Sequence, residues 1–259
     1  MDFSKKTIGF ALSGGGSKGL AQAGAIKFLE EQNIKPNFIA GTSAGAIIGA
    51  LYSWGKSPEE ILEFFKSIYF FHWKHLTLRK PGIIDSSSFK KYFDDIFKDA
   101  TLNDLKIPIF ITATDMVKGE LKIFSKETKI TDALLASSAF PGMISPYVIE
   151  DSIYCDGGVL NHFPSDLLSE KCDFNIGIYV SPLEKITHDN LKSIKSVTSR
   201  AFDLFYANSN IPKFKFCDCI IEPHELSHFS TFETSKTKMN TIFEIGYNAA
   251  KKTFEELNE

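Results

Sequence analysis

The stretch Phe38-Ile39-Ala40-Gly41-Thr42-Ser43-Ala44-Gly45 decides how the rest of this sequence is interpreted. It begins with an apolar run typical of a buried strand, and residues 44 to 54 have the composition of a helix. Its centre matches G-x-S-x-G, in which a tight strand-to-helix turn projects a serine hydroxyl above a sheet edge. Only glycine or very small side chains fit at Gly41 and Gly45 of such a turn. The stretch predicts a nucleophilic Ser43, with a close-packed turn of no catalytic role as the alternative.

A similar strand-to-helix unit comes before it in the chain. The apolar run 8–12 ends in a glycine-rich turn, and residues 18–32 have helical composition. Because both strands are apolar throughout rather than alternating, they predict a parallel sheet covered on both faces. Further strands are predicted at 109–114, 121–124, 147–150, 153–155, 175–181 and 217–222, and further helices at 57–68, 131–139, 189–207 and 234–257.

The glycine-rich turn Gly14-Gly15-Gly16-Ser17-Lys18-Gly19 fits G-x-G-x-x-G literally. A dinucleotide site needs an acidic residue at the end of the second strand, but that strand ends in Gly41-Thr42-Ser43. The phosphate-binding G-K-[ST] pattern also fails, because Lys18 precedes Gly19. What remains is a turn rich in backbone N–H groups, which neighbouring parallel strands bring beside Ser43. The sequence therefore predicts an oxyanion hole at Gly14, Gly15, Gly16 and Ser17.

A nucleophilic serine needs a base, and two candidates remain open. Asp156, in Asp156-Gly157-Gly158, directly follows a predicted strand, and its two glycines let the backbone approach another loop closely. The same tripeptide is also an ordinary turn sequence. Of the six histidines, His162 lies nearest to a comparable position. We expect Asp156 to be the base, with His162 as the alternative.

Composition excludes several classes of protein. The 259 residues carry a net charge of −3, so no global basic field favours nucleic acid. The longest apolar runs fall far short of the ~20 residues that span a bilayer. Four cysteines do not make a disulfide framework, which predicts a cytoplasmic protein. We expect one domain over residues 1–259.

Two patterns have an alternative interpretation. Cys217, Cys219, His224 and His228 offer four zinc ligands, but C-x-C on a strand places both thiols on one face, as core residues. We therefore expect no metal and no cofactor. The aromatic and basic segment from Phe64 to Lys80 fits a transient contact with a membrane surface or a core helix with a solvated edge, and we favour the core helix.

Taken together, the glycine-rich turn, the elbow at Ser43 and Asp156-Gly157-Gly158 resemble the patatin-like phospholipase family. The resemblance is spread over residues 7–181 and includes Ala113-Thr114-Asp115 and Ala136-Ser137-Ser138-Ala139-Phe140-Pro141. The order and spacing of these pieces make the match specific. The part from about residue 187 to 259, mostly helical, carries no signature of the family.

The resemblance implies a three-layer α/β/α fold with a central, mostly parallel sheet. It also implies hydrolysis of acyl esters of lipids by a Ser43–Asp156 dyad without a third member. Two other functions remain open: a Ser-His-Asp esterase that uses His162, and a non-catalytic regulator that binds lipid or nucleotide. Head group, chain length and oligomeric state are outside the reach of the sequence.

Overall fold

The computed structural model describes residues 3, 5–68 and 81–258. Within these residues, one mixed sheet forms the centre of the fold. Its strands are β1 (Ile8–Leu12), β2 (Phe38–Thr42), β3 (Ile109–Asp115), β4 (Glu120–Ile123), β5 (Tyr147–Ile149), β6 (Ser152–Asp156), β7 (Phe174–Ile178) and β8 (Cys219–Ile221). The hydrogen-bonded order is β5-β6-β3-β2-β1-β7-β8, and β4 pairs with β3 outside this path.

The sheet is mostly parallel, as the apolar strands predict. β1 pairs in parallel with β2 and β7, β2 with β3, and β7 with β8. The pairs β3–β4, β3–β6 and β5–β6 are antiparallel. Parallel neighbours end at the same edge, so the residues that follow β1 and β2 lie side by side. That edge carries the glycine-rich turn and Ser43.

Helices connect and cover the strands. In the described part of the chain they are α1 (Leu20–Glu31), α2 (Ala44–Trp54), α3 (Pro58–Ser67), α4 (Lys90–Phe97), α5 (Ile130–Ser137), α6 (Gly158–Asn161), α7 (Ile194–Asn210) and α8 (Lys236–Asn258). The start of α3 is set by a capping box, in which the Glu60 N–H donates to Ser57 Oγ and the Ser57 N–H donates to the Glu60 carboxylate.

The two faces of the sheet have separate cores, which makes three layers. Along β1, Phe10 and Leu12 pack in the larger cluster with apolar residues of α1, α2, α3, α5 and α8. Ala11, which points the other way, packs in a smaller cluster with Phe163 and Tyr179. The predicted α/β architecture with helices on both faces is therefore confirmed.

Several boundaries differ from the sequence prediction. α7 begins at Ile194 rather than near residue 189, and α4 was not predicted at all. Only Phe93 and Phe97 are buried within α4. Its sequence therefore has no long apolar run that would have predicted a helix. In the aromatic and basic segment, Phe65 and Ile68 belong to the core, whereas residues 69–80 lie outside the described residues.

α1 and α8 cross with their backbones in contact. A methyl group on Gly246 of α8 would overlap the Ala21 carbonyl of α1, and one on Gly24 of α1 would overlap the Phe243 carbonyl of α8. Glycine is needed at both positions because the helices approach each other so closely. This crossing joins the first helix of the chain to the last.

We predict that Gly246→Ala lowers the free energy of unfolding by about 1–3 kcal/mol, because the new methyl group forces the two helices apart. The intrinsic preference of a helix for alanine, about 1 kcal/mol, acts in the opposite direction and is outweighed. Urea denaturation measures the change. Asn248→Ala, at an exposed position two residues further along α8, is the control and should be neutral or stabilising. Equal stability of both variants would contradict a close crossing.

Candidate active site

Ser43 lies at the turn between β2 and α2 with an unusual backbone conformation. Its φ of 54° and ψ of −121° are rarely adopted by a residue with a side chain. The turn is so crowded that glycine is needed on both sides of Ser43. A Cβ on Gly41 would lie 2.7 Å from the Gly45 carbonyl oxygen, and one on Gly45 would overlap the Leu12 carbonyl. The G-x-S-x-G pattern thus forms the tight strand-to-helix turn that the sequence predicts. Strain of this kind is typical of functional positions.

Ser137 and Asp156 are polar neighbours of Ser43. The Ser43 backbone N–H donates to Ser137 Oγ at 2.8 Å, and the Ser43 side chain lies near enough to the Asp156 carboxylate to favour the ionised form of that group. Ser137 is buried at the end of α5, and its carbonyl accepts the Gly157 N–H at 3.3 Å. Ser137 belongs to a segment that resembles the family, but the sequence predicts no role for it, because nothing local links it to a residue 94 positions away.

Asp156 is buried at the end of β6, where its side chain has two polar neighbours. The Gly158 N–H donates to Asp156 Oδ1 at 2.7 Å, and the Ser43 hydroxyl is the other neighbour. Burial raises the pKa of Asp156 to about 6, although the Gly158 N–H and the nearby Ser43 side chain act to lower it. This carboxylate is therefore a stronger base than an exposed one, and it is still ionised at neutral pH.

The glycines after Asp156 allow two further close contacts. A Cβ on Gly157 would lie 2.5 Å from the Thr112 carbonyl oxygen of β3, and one on Gly158 would lie 2.9 Å from His162 Nδ1. The two glycines predict a close approach to another loop, and in the structure the turn instead lies against Thr112 at the end of β3 and against the His162 ring.

The glycine-rich turn packs directly beside the elbow. A Cβ on Gly19 would lie 2.8 Å from Ala44 Cβ, at the first residue of α2. The N–H of Gly14 donates to the His162 carbonyl at 2.9 Å, and the N–H of Ser17 donates to the Thr231 carbonyl at 2.8 Å. In the described residues, no protein acceptor takes a hydrogen bond from the N–H of Gly15 or Gly16.

A segment from the C-terminal third covers this turn. Its Thr231 carbonyl accepts the hydrogen bond from the Ser17 N–H, and its Glu233 carbonyl accepts one from the Ser17 hydroxyl at 3.0 Å. Gly16 has a φ of 57°, and a Cβ there would overlap the Thr231 carbonyl. Phe232, between these two acceptors, packs edge-on against Phe140, with ring centroids 5.9 Å apart. No sequence pattern indicated this cover.

His162 is buried behind the glycine-rich turn. Its ring stacks on Tyr206 of α7 at 4.9 Å between centroids, and Nε2 lies 3.1 Å from Ser181 Oγ. A Cβ on Gly14 would lie 2.6 Å from His162 Cε1. Burial lowers the pKa of His162 to about 4. Among the described residues, its side-chain hydrogen bond goes to Ser181 and none goes to Ser43.

The residues considered for zinc lie around β8. Cys219 belongs to the core of the larger cluster, and burial raises the pKa values of the Cys217 and Cys219 thiols to about 12. His228 instead lies 3.6 Å from Glu184. In the described residues, no group of three histidine, cysteine or carboxylate side chains has an arrangement that could hold a metal ion. Among the same residues, no helix has the length and apolarity that a membrane span requires.

Comparison with solved structures shows the fold. VipD from Legionella pneumophila aligns with a TM-score of 0.56 over 96% of this chain and 66% of that chain, at 14% sequence identity. At such low identity the likeness extends to the architecture alone.

The curated proteins with similar sequences are longer than this chain. An uncharacterised NTE family protein from Mycobacterium tuberculosis is 27% identical over 228 residues, which is 80% of this chain and 60% of that protein. Lysophospholipase NTE1 from Phaeosphaeria nodorum is 23% identical over 98% of this chain, but the match covers only 19% of its own length. The chain thus spans less than two thirds of either relative.

The model of the patatin-like phospholipase family matches residues 10–168. This range contains the glycine-rich turn, the elbow at Ser43 and Asp156-Gly157-Gly158, which are the three pieces on which the resemblance rests. The match covers more than half of the chain, and the chain therefore belongs to the patatin-like phospholipase family.

Proposed function

We propose that this chain is a serine hydrolase that cleaves acyl esters of lipids, of the phospholipase or lysophospholipase type. The observation that carries the proposal is the proximity of the Ser43 side chain to the buried Asp156 carboxylate, with Ser43 in a strained strand-to-helix turn. Membership of the family and the name of the lysophospholipase relative support a lipid ester as substrate.

In the proposed reaction, Asp156 accepts the proton of the Ser43 hydroxyl as Ser43 Oγ attacks the ester carbonyl. The tetrahedral intermediate collapses to an acyl-serine, and Asp156 gives the proton to the departing alcohol. Water then attacks the acyl-serine, Asp156 takes one of its protons, and that proton returns to Ser43 Oγ as the fatty acid leaves. Each step balances with one proton moving to and from Asp156, and no metal or cofactor takes part.

The proposed oxyanion hole contains only two of the four residues that the sequence predicts for it. The N–H groups of Gly14 and Ser17 already donate to carbonyls of the fold. The N–H groups of Gly15 and Gly16 are therefore the ones we assign to the negative oxygen of the intermediate. The first turn of α2 adds the positive end of its helix dipole at the same place.

A small apolar cavity of about 30 Å³ lies among four helices. It is lined by Ile47, one helical turn after Ser43, and by Phe65, Phe93 and Leu135 from three other helices. Ser138, the neighbour of Ser137, also lines it. The cavity is far smaller than the ~150 Å³ that holds a benzene molecule. We therefore propose only that the acyl chain of the substrate packs against this apolar lining after side chains shift.

The chain also carries four free cysteines, Cys155, Cys172, Cys217 and Cys219. Unpaired thiols persist in a reducing compartment, which supports a cytoplasmic location as part of the proposal.

We predict that Ser43→Ala abolishes both labelling by a fluorophosphonate probe and hydrolysis of a nitrophenyl ester, because it removes the attacking oxygen. Mass spectrometry of the labelled peptide locates the reaction. Ser227→Ala is the matched control and should label and turn over like the wild type, since among the described residues the Ser227 hydroxyl bonds to the His224 carbonyl of its own turn. Labelling of the Ser43→Ala protein would show that another residue is the nucleophile.

A second comparison separates the dyad from a histidine-dependent mechanism. Asp156→Asn removes the proton acceptor and should lower kcat/KM by roughly 10³–10⁴-fold, comparable with losing a triad carboxylate. His162→Phe keeps a ring to stack on Tyr206 and should lower kcat/KM less than tenfold. The opposite order of effects would give the role of base to His162, and two active variants would exclude both residues.

The pH dependence gives an independent test of the same assignment. With Asp156 as the base, kcat/KM for a soluble ester should rise with pH, reach half its maximum near pH 6 and level off above pH 7, because only the ionised carboxylate accepts the proton. His162 acting as the base predicts a midpoint near pH 4 instead. A profile that is flat from pH 3.5 to 8 fits neither residue.

Stability should change with pH in the opposite sense to activity. The pKa of Asp156 in the fold is above that of an exposed carboxyl, so its stabilising contribution is complete below about pH 4 and is lost as pH rises through about 6. The Asp156→Asn protein has no ionisable group at this position, so it does not lose this stability. Between pH 4 and 7 the free energy of unfolding of the wild type should therefore fall by roughly 2–3 kcal/mol relative to that of Asp156→Asn. A difference independent of pH would contradict a buried, ionised Asp156.

A further inference from the structure

α7 carries its apolar side chains on the side that faces solvent. Ile194 is 88% exposed, Val197 51%, Leu204 48% and Phe205 55%. Their spacing of three, seven and one residues places them along one stripe of the helix. We call these four residues the α7 apolar face. An outward stripe of large apolar side chains is unusual in a soluble helix and marks a surface that is covered in use.

The opposite side of α7 packs at the proposed active site. Tyr206 stacks on His162, which lies against Gly14, and Ala207 and Asn210 are buried. Lys18 of the glycine-rich turn attracts Asp203 of α7 electrostatically. The α7 apolar face is therefore fixed in position relative to the site, on the far side of a single helix.

The sequence segment that contains α7 is basic, although the chain has a net charge of −3. Residues 191–216 contain five basic residues and one acidic residue. Lys213 Nζ lies 2.9 Å from Asp166 Oδ1, and Lys192 pairs with Asp189 in a largely exposed ion pair that contributes little. An apolar stripe within a basic segment is the pattern of a helix that lies in the interface of an anionic membrane.

We propose that the α7 apolar face docks on an anionic lipid surface, with the helix axis parallel to that surface. This inference rests on the proposed function, since docking there would bring an aggregated lipid substrate to the site beside Tyr206. A second copy of the chain fits the surface less well. A two-fold interface would bring the same face together from both copies, and their basic segments would repel each other.

The test measures partition onto vesicles separately from hydrolysis. The full chain carrying Ser43→Ala, which leaves the lipid intact, is mixed with vesicles of phosphatidylcholine and phosphatidylglycerol (3:1) or of phosphatidylcholine alone, and bound protein is separated by flotation. We expect at least tenfold stronger partition onto the anionic vesicles at low salt, and weakening as salt is added. Equal partition onto both vesicle types, or none onto either, would overturn the proposal.

Paired substitutions locate the surface. Leu204→Ser with Phe205→Ser should weaken partition onto anionic vesicles at least tenfold. Ile83→Ser with Val148→Ser changes two apolar residues of similar exposure, 52% and 60%, outside α7, and should weaken it less than twofold. Circular dichroism confirms that both proteins are folded, as expected for changes at exposed positions. Equal effects of the two pairs would overturn the assignment to α7.

The remaining outcomes separate docking from catalysis. With Ser43 intact, the α7 pair should lower the rate on vesicle lipid relative to the rate on a soluble nitrophenyl ester at least tenfold. Partition that depends on α7 without hydrolysis of any ester would support docking and refute the proposed function. Hydrolysis of esters by a protein whose partition onto vesicles does not depend on α7 would support the proposed function and refute docking through α7. A dimer in size-exclusion chromatography that the α7 pair dissociates would identify a second copy as the occupant and overturn the proposal.

Discussion

The approach of α2 to the end of β1 is the contact on which the geometry of the site depends. At Gly45 there is no room for a Cβ beside the carbonyls of Leu12 and Ser13. Because α2 starts so close to this strand, the chain has to reverse within one residue, and Ser43 takes the strained φ that this requires. The same closeness brings the glycine-rich turn, which follows β1, against the first residue of α2. A single steric constraint thus places both the proposed nucleophile and the proposed oxyanion hole.

The other partner of Ser43 comes from a different part of the sheet. Asp156 ends β6, which pairs with β3 in antiparallel orientation and is reached only after α5 and the β5–β6 hairpin. Its carboxylate is buried, but it accepts a hydrogen bond from the Gly158 N–H and lies near the Ser43 side chain. This balance between burial and hydrogen bonding raises the pKa to about 6 and no further. A carboxylate in such surroundings has the basicity that a histidine has in water, which is why a dyad without histidine is chemically reasonable here.

The parts of the site that could be predicted from sequence are those whose residue types are required by the local backbone conformation. Gly41, Gly45 and Gly157 are needed by tight turns and close contacts, and each sits next to a strand that the apolar pattern reveals. Ser137 and the carbonyl of Thr231 could not be predicted, because a serine hydroxyl or a main-chain carbonyl has no pattern of its own and its partner lies far away in the sequence. The exposed stripe of α7 was missed for another reason. Amphipathic periodicity shows that a helix has an apolar side, but it does not show whether that side faces the core or the solvent.

The segment that covers the glycine-rich turn has a consequence for synthesis of the protein. Ser17 is held by carbonyls of Thr231 and Glu233, more than 200 positions later in the chain. A nascent chain that has just completed Asp156 already contains every motif of the dyad, yet the turn beside Ser43 still lacks the two acceptors that set its shape. Proteolytic removal of the last helix together with this segment would leave the same unfinished turn. The proposed active site would thus stay incomplete on the ribosome until the segment that contains Thr231 and Glu233 has been made.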